Sequence, residues 1–97
     1  MYGKDELEYK LMYISMGLAG EAGEVIEKLK KVVRNDGGVV SEEKREDLKK
    51  ELGDVLWYLS EMAQTLGLSL NAVAEGNITK LADRLARDVI KSEGDDR

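Results

Sequence analysis

Residues 42–66 read EEKREDLKKELGDVLWYLSEMAQTL, and this stretch decides the fold class. At about 100° per residue, Leu48, Leu52, Val55, Leu59, Met62 and Leu66 fall on one face. Ser41 stands just before the stretch as a candidate N-cap, and Gly67 follows it as a C-terminal stop. The reading is an amphipathic helix whose apolar stripe needs a partner.

The same count extends outward in both directions. Leu7, Leu11, Ile14, Leu18, Val25, Leu29 and Val32 share a face over a stretch that begins near residue 5 and ends at Asn35-Asp36-Gly37-Gly38. Gly17, Gly20 and Gly23 lie inside it and are expected to kink it or split it in two. Ser69 can cap a third helix from residue 70 to about 91, with Leu70, Ala74, Leu81 and Leu85 on its face. The tail 92–97, SEGDDR, has no apolar period and is expected to be loose. The expectation is a single all-α domain over 1–97, with three to four amphipathic helices in an oligomeric helical bundle. Three such helices make a thin core alone, so a dimer or tetramer is expected to complete it. Trp57 points the same way: it lies opposite the stripe of its own helix, where a large aromatic needs a subunit or a ligand to cover it.

Composition narrows the chemistry. The chain has 97 residues with 20 acidic and 15 basic side chains, a net charge of −5, no Pro, no Cys and no His. An acidic chain is a poor binder of nucleic-acid polymers, which select a basic face. Without Cys there is neither a disulfide framework nor a thiolate nucleophile. Without His, any metal must be held by oxygen, which points to magnesium, manganese or calcium. No stretch reaches the ~20 apolar residues of a membrane span, and MYGKDELEYK is too polar for a signal peptide, so a cytoplasmic protein without membrane partners is expected.

Two acidic pairs have the spacing to share a cation: Glu21/Glu24 and Glu51/Asp54, each at i, i+3 on one helical face. Taken singly, such pairs are usually solvated surface. Their placement is more specific. Counted round the helix from Leu18, Glu21 falls beside the apolar stripe and Glu24 further round on the same flank. Glu51 and Asp54 stand at the same two offsets, in the same sense, from Leu48. If the two helices pack antiparallel through their stripes, a two-fold rotation relates them and all four carboxylates converge at the edge of the core. Bare, that cluster would repel itself, and a hard dication is the natural counter-charge. Basic residues lie on the same flanks. Lys28 and Lys31 fall on the Glu21/Glu24 side of Leu18, while Asn77, Lys80 and Arg84 share one flank of the third helix beside Leu81. Carboxylates for a metal beside a Lys/Arg stripe suit a polyphosphate. Ordinary salt-bridge decoration is the plainer reading of those basic residues.

These residues resemble the MazG family of all-helical nucleotide pyrophosphohydrolases. The family's E-x-x-E pair, spacer with a loop, and E-x-x-D pair stand here as GLAGEAGEVIEKLKK (17–31) and ELGDVLWYL (51–59), and NITKLADR (77–84) matches a family N-x-x-K-L-x-x-R segment. The tail SEGDDR is similar to a Gly/Asp-rich tail found in part of the family. The resemblance implies that Glu21, Glu24, Glu51 and Asp54 bind magnesium, with manganese as an alternative. It implies that Lys80, with Arg84 and Lys31, meets phosphate, and that Asn77 and Tyr58 lie near the substrate. The implied reaction converts a nucleoside triphosphate and water to the monophosphate and pyrophosphate; without His, the base must be a carboxylate, with Glu21 and Glu24 as candidates, or the metal-bound hydroxide itself. Many members carry Glu directly before the first pair, where this chain has Gly20, and Arg87-Asp88 stands where relatives often have Arg-Gly. Two rival expectations remain: a pyrophosphohydrolase of another substrate such as phosphoribosyl-ATP, and a non-catalytic helical interaction module. A carboxylate-bridged di-iron bundle is disfavoured because its Glu-x-x-His pairs are absent.

Overall fold

Local signals along the chain become three helices: α1 (Lys4–Asn35), α2 (Glu42–Thr65) and α3 (Leu70–Asp95). The computed structural model describes residues 3–95 in backbone and 3–89 in side chain. The chain is all-α, with no strand among the described residues. Both sequence-marked caps are made. Ser41 Oγ accepts from the Lys44 amide at 3.1 Å and Ser69 Oγ from the Ala72 amide at 3.0 Å, each satisfying one of the orphan N–H groups of a helix start. Gly67 ends α2 with a left-handed φ of 75°. The Gly67 amide then donates to the Gln64 carbonyl at 3.0 Å and the Leu68 amide to Ala63 at 2.8 Å, closing a Schellman turn.

Two expectations about the helices are corrected. The glycines of α1 do not split it into separate elements, since one helix runs from Lys4 to Asn35. A helical glycine costs only about 1 kcal/mol, and the stripe that packs along α2 outweighs it. At Gly17 the missing side chain has a positive use: a Cβ there would collide with the ring of Tyr58, so the glycine lets that ring lie on the α1 backbone. The helical count is therefore three. The second correction concerns the tail, because α3 continues through Asp95 instead of ending near residue 91. Loss of an apolar period removes a packing face without itself unwinding the backbone. The rest of the tail, 96–97, lies outside the described residues.

α1 and α2 form an antiparallel hairpin, with Gly17 against Tyr58 near one end and Lys28 against Asp47 near the other. Most of the expected stripe of α1 is covered: Ile14 and Val32 are buried and Leu7, Leu11, Leu18 and Val25 are half-buried, whereas Leu29 is exposed. On α2 the seam is rotated from the centre of the stripe. Leu48, Val55, Tyr58 and Met62 are half-buried and Ala63 is buried, while Leu52, Leu56 and Leu59 stay exposed. Only Ile14, Val32 and Ala63 are buried among the described residues. α3 touches α2 beyond the corner and, among the described residues, does not touch α1. The radius of gyration is accordingly 19.0 Å, against about 12.5 Å for a compact chain of this length. Among the described residues, no helix is long and apolar enough to cross a membrane.

Candidate metal and substrate site

The rotation of the α1/α2 seam places acidic side chains inside it. Glu21 on α1 and Glu51 on α2 are half-buried, while Asp54, one turn further along α2, is exposed. One carboxylate oxygen from each of the three lies within 4.8 Å of the others. Oxygens sharing one magnesium stand about 3–4 Å apart, so small rotamer changes would bring these onto a common ion. The site fits a hard dication on chemistry as well as spacing, because every ligating atom is oxygen and only one cation, Lys28, touches the group, through Glu51. Glu21 shows this directly. Its carboxyl is held above the ordinary carboxylate range by burial first, then by the charges of Asp54, Glu51 and Glu24, and by a hydrogen bond with Glu51.

The structure brings together three of the four expected carboxylates. Glu24 is exposed and falls outside the close group, although its charge still reaches Glu21. The expected convergence of all four is corrected on this point. A seam centred near the Glu21/Glu51 flank draws those residues inward and leaves the i+3 residue of α1 on the rim.

Lys28 lies in the seam, where its ammonium donates to Asp47 at 2.8 Å and to Glu51 at 2.9 Å. Its pKa is raised, chiefly by these two hydrogen bonds, and the Asp47 carboxyl is correspondingly lowered by its bond to Lys28. Lys28 therefore neutralises part of the cluster and holds Glu51 in place. The sequence reading omitted Asp47. A signal was available, since Asp47 directly precedes Leu48 and so falls on the same flank of α2 as Glu51. Tyr58 is half-buried over Gly17, and Trp57 packs edge-on against it with ring centroids 5.0 Å apart and planes at 86°. Trp57 is itself 56% exposed, on the outer side of α2 as the angular count expected.

The remaining expected substrate residues lie on α1 and α3. Lys31 is exposed on α1, and Arg84 is exposed on α3. Asn77 and Lys80 line an open cleft of about 780 Å³ between α2 and α3, beside Leu56 and Leu59.

A hairpin that holds three carboxylates in one seam, with a lysine clamping one of them, defines a helical protein with a candidate cation site. The sequence profile of the MazG nucleotide pyrophosphohydrolase domain matches residues 12–87. The chain thus belongs to the MazG nucleotide pyrophosphohydrolase family, as its motifs led one to expect. It is 47% identical over 87 residues to the Gene 37 protein of Mycobacterium phage L5, covering 90% of this chain and 76% of that protein. No solved structure matches the chain. The matched region contains the carboxylate cluster and the Asn77–Arg84 segment.

Proposed function

We propose that the chain is a magnesium-dependent nucleoside triphosphate pyrophosphohydrolase, releasing pyrophosphate from an NTP or dNTP and leaving the monophosphate. The observation that carries this reading is the meeting of Glu21, Glu51 and Asp54 oxygens within 4.8 Å in the α1/α2 seam of a MazG-family chain. Manganese has the same oxygen preference and serves as an alternative ion.

Glu21, Glu51 and Asp54 would hold the ion, with Glu24 reaching it from the rim. When bound, magnesium neutralises phosphate oxygens and makes a water more acidic. In the hydrolytic step a water oxygen bonds to one phosphorus of the α–β anhydride as the bond to the bridging oxygen breaks. A carboxylate of the first pair accepts the water proton. Glu21 and Glu24 are the candidates for this role. Lys28 keeps Glu51 oriented through their 2.9 Å bond, so that Glu51 is not free to rotate out of the cluster. Lys80 and Arg84, with Lys31, would meet the phosphate oxygens and stabilise charge on the leaving pyrophosphate. Tyr58 and Asn77 would border the nucleotide.

The test is a screen of all ribo- and deoxynucleoside triphosphates, with phosphoribosyl-ATP included, for pyrophosphate release with and without magnesium. The expected result is magnesium-dependent release that is lost in Glu21→Gln, Glu51→Gln and Asp54→Asn and kept in Glu43→Gln. Because the three residues would act as one assembly, their effects should not add. Release from phosphoribosyl-ATP alone would move the reading to that substrate. Inactivity on every compound, with no magnesium binding by calorimetry, would leave a helical interaction module.

A further inference from the structure

We propose that Asp47, acting through Lys28, is a positioning residue of the cation site: the Asp47–Lys28 pair sets the Glu51 carboxylate for the ion, and Lys28 serves the metal side of the site instead of the phosphate. The inference rests on the proposed cation site of Glu21, Glu51 and Asp54, and it adds to that site two residues that act through Glu51.

Geometry separates this bridge from ordinary surface pairing. The Lys28 ammonium crosses from α1 to α2, donating to Asp47, 19 residues away, at 2.8 Å and to Glu51, 23 residues away, at 2.9 Å. The Glu51 side chain is only 16% exposed and that of Lys28 28%. The pairs Lys30–Glu27, Arg45–Glu42 and Arg87–Asp83 each lie within one helix instead, at 3.3–3.8 Å, with every side chain at least 59% exposed. Exposed pairs of that kind contribute little. A lysine held across a seam gives up the freedom of its long stem, which two charge-assisted bonds offset.

The arrangement leaves Glu51 able to serve an ion. A carboxylate has two oxygens with about four lone-pair sites, so Glu51 can keep Lys28 and still offer an oxygen to a cation. Asp47 stands one turn before Glu51 on the same flank of α2 and gives the ammonium its second partner. Two consequences follow from that partner. With two of its three N–H donors taken, Lys28 is tied down in the seam and does not swing out to a phosphate. The Asp47 charge also offsets the one that Lys28 brings. Lys28 alone would cancel one of the three carboxylate charges that attract a dication, whereas the Asp47–Lys28 pair orients Glu51 at little electrostatic cost.

The experiment titrates magnesium chloride calorimetrically into the chain without nucleotide. Lys28→Met should weaken magnesium binding by about 10- to 100-fold, as for other partners that orient metal ligands. Charge alone predicts the opposite sign, because a cation beside the site is removed. Lys50→Met, which removes the exposed cation next to Glu51 in the chain, should leave the affinity unchanged or raise it. Asp47→Ala should weaken binding by about tenfold. In a Lys28→Met background it should add less than about twofold, because Asp47 acts through Lys28. Glu46→Ala, at the neighbouring exposed carboxylate, should likewise change affinity by less than about twofold. A purely structural bridge would lower the unfolding midpoint and leave the affinity of the folded chain unmoved. Magnesium binding in Lys28→Met as tight as wild type or tighter therefore overturns the proposal. So does an Asp47→Ala effect that Glu46→Ala matches, or one that persists in full without Lys28. If circular dichroism shows Lys28→Met misfolded, Asp47→Ala against Glu46→Ala decides alone. The expected affinities in a chain that releases no pyrophosphate would overturn only the proposed reaction, whereas a wild type that binds no magnesium would overturn both.

Discussion

Gly17→Ala probes the contact that fixes how α1 and α2 lie against each other beside the site. A Cβ at residue 17 would run into the Tyr58 ring, at its Cε1, Cζ and Cδ1 atoms. Overpacking of this kind costs about 1–3 kcal/mol, because the ring must leave its rotamer or the helices must separate. Alanine recovers about 1 kcal/mol of helix propensity, so the absolute change alone is a weak readout. Gly76→Ala supplies the reference: it lies in α3 with nothing within 4 Å of the new Cβ, and it should gain the propensity without the clash. The two variants should therefore differ by about 2 kcal/mol, which in a domain of this size is a gap of roughly 8–16 °C in melting temperature. Thermal melts followed by circular dichroism read the gap, and in a Tyr58→Ala background, where the obstructing ring is gone, Gly17→Ala and Gly76→Ala should differ much less. Melting temperatures for Gly17→Ala and Gly76→Ala that agree within experimental error would refute the packing argument.

Three other outcomes are expected. Glu21→Gln should raise the melting temperature of the metal-free protein at pH 7. Glu21 has a folded pKa above its ordinary 4.5, so its stabilising contribution is present below that value and is lost as pH rises through the folded pKa; the gap should close as pH falls toward 4.5, and a pH-independent gap would contradict it. Lys28→Met should lower the urea midpoint at pH 7. Asp47 is held below its ordinary 3.8 by Lys28, so the stability from this pair is present above that value and fades as pH falls through the folded pKa; the difference from wild type should shrink at pH 3. Ser41→Ala should cost about 1 kcal/mol through loss of the α2 cap, seen as a lower denaturant midpoint with an unchanged slope.

Much of the fold was legible because it is local. Ser41, Ser69 and Gly67 mark helix ends by chemistry that needs only a few neighbouring residues, and all three act as expected. The i, i+3 spacing places Glu51 and Asp54 on one face of α2 whatever else the chain does, and the same holds for Glu21 and Glu24 on α1. The absence of His and Cys likewise settles that the donors are oxygen. What periodicity could not supply was the rotation of each helix about its own axis. The apolar stripe of α2 is broader than the seam it makes with α1, so Leu52 and Leu59 satisfy the pattern as well as Leu48 and Val55 do. Only packing chose between those halves, with Gly17 admitting the Tyr58 ring and Lys28 pinning Asp47 and Glu51. That rotation drew Glu21 into the close group and left Glu24 on the rim. A helical period specifies angles within a helix, while the angle between helices comes from contacts among residues distant in the chain.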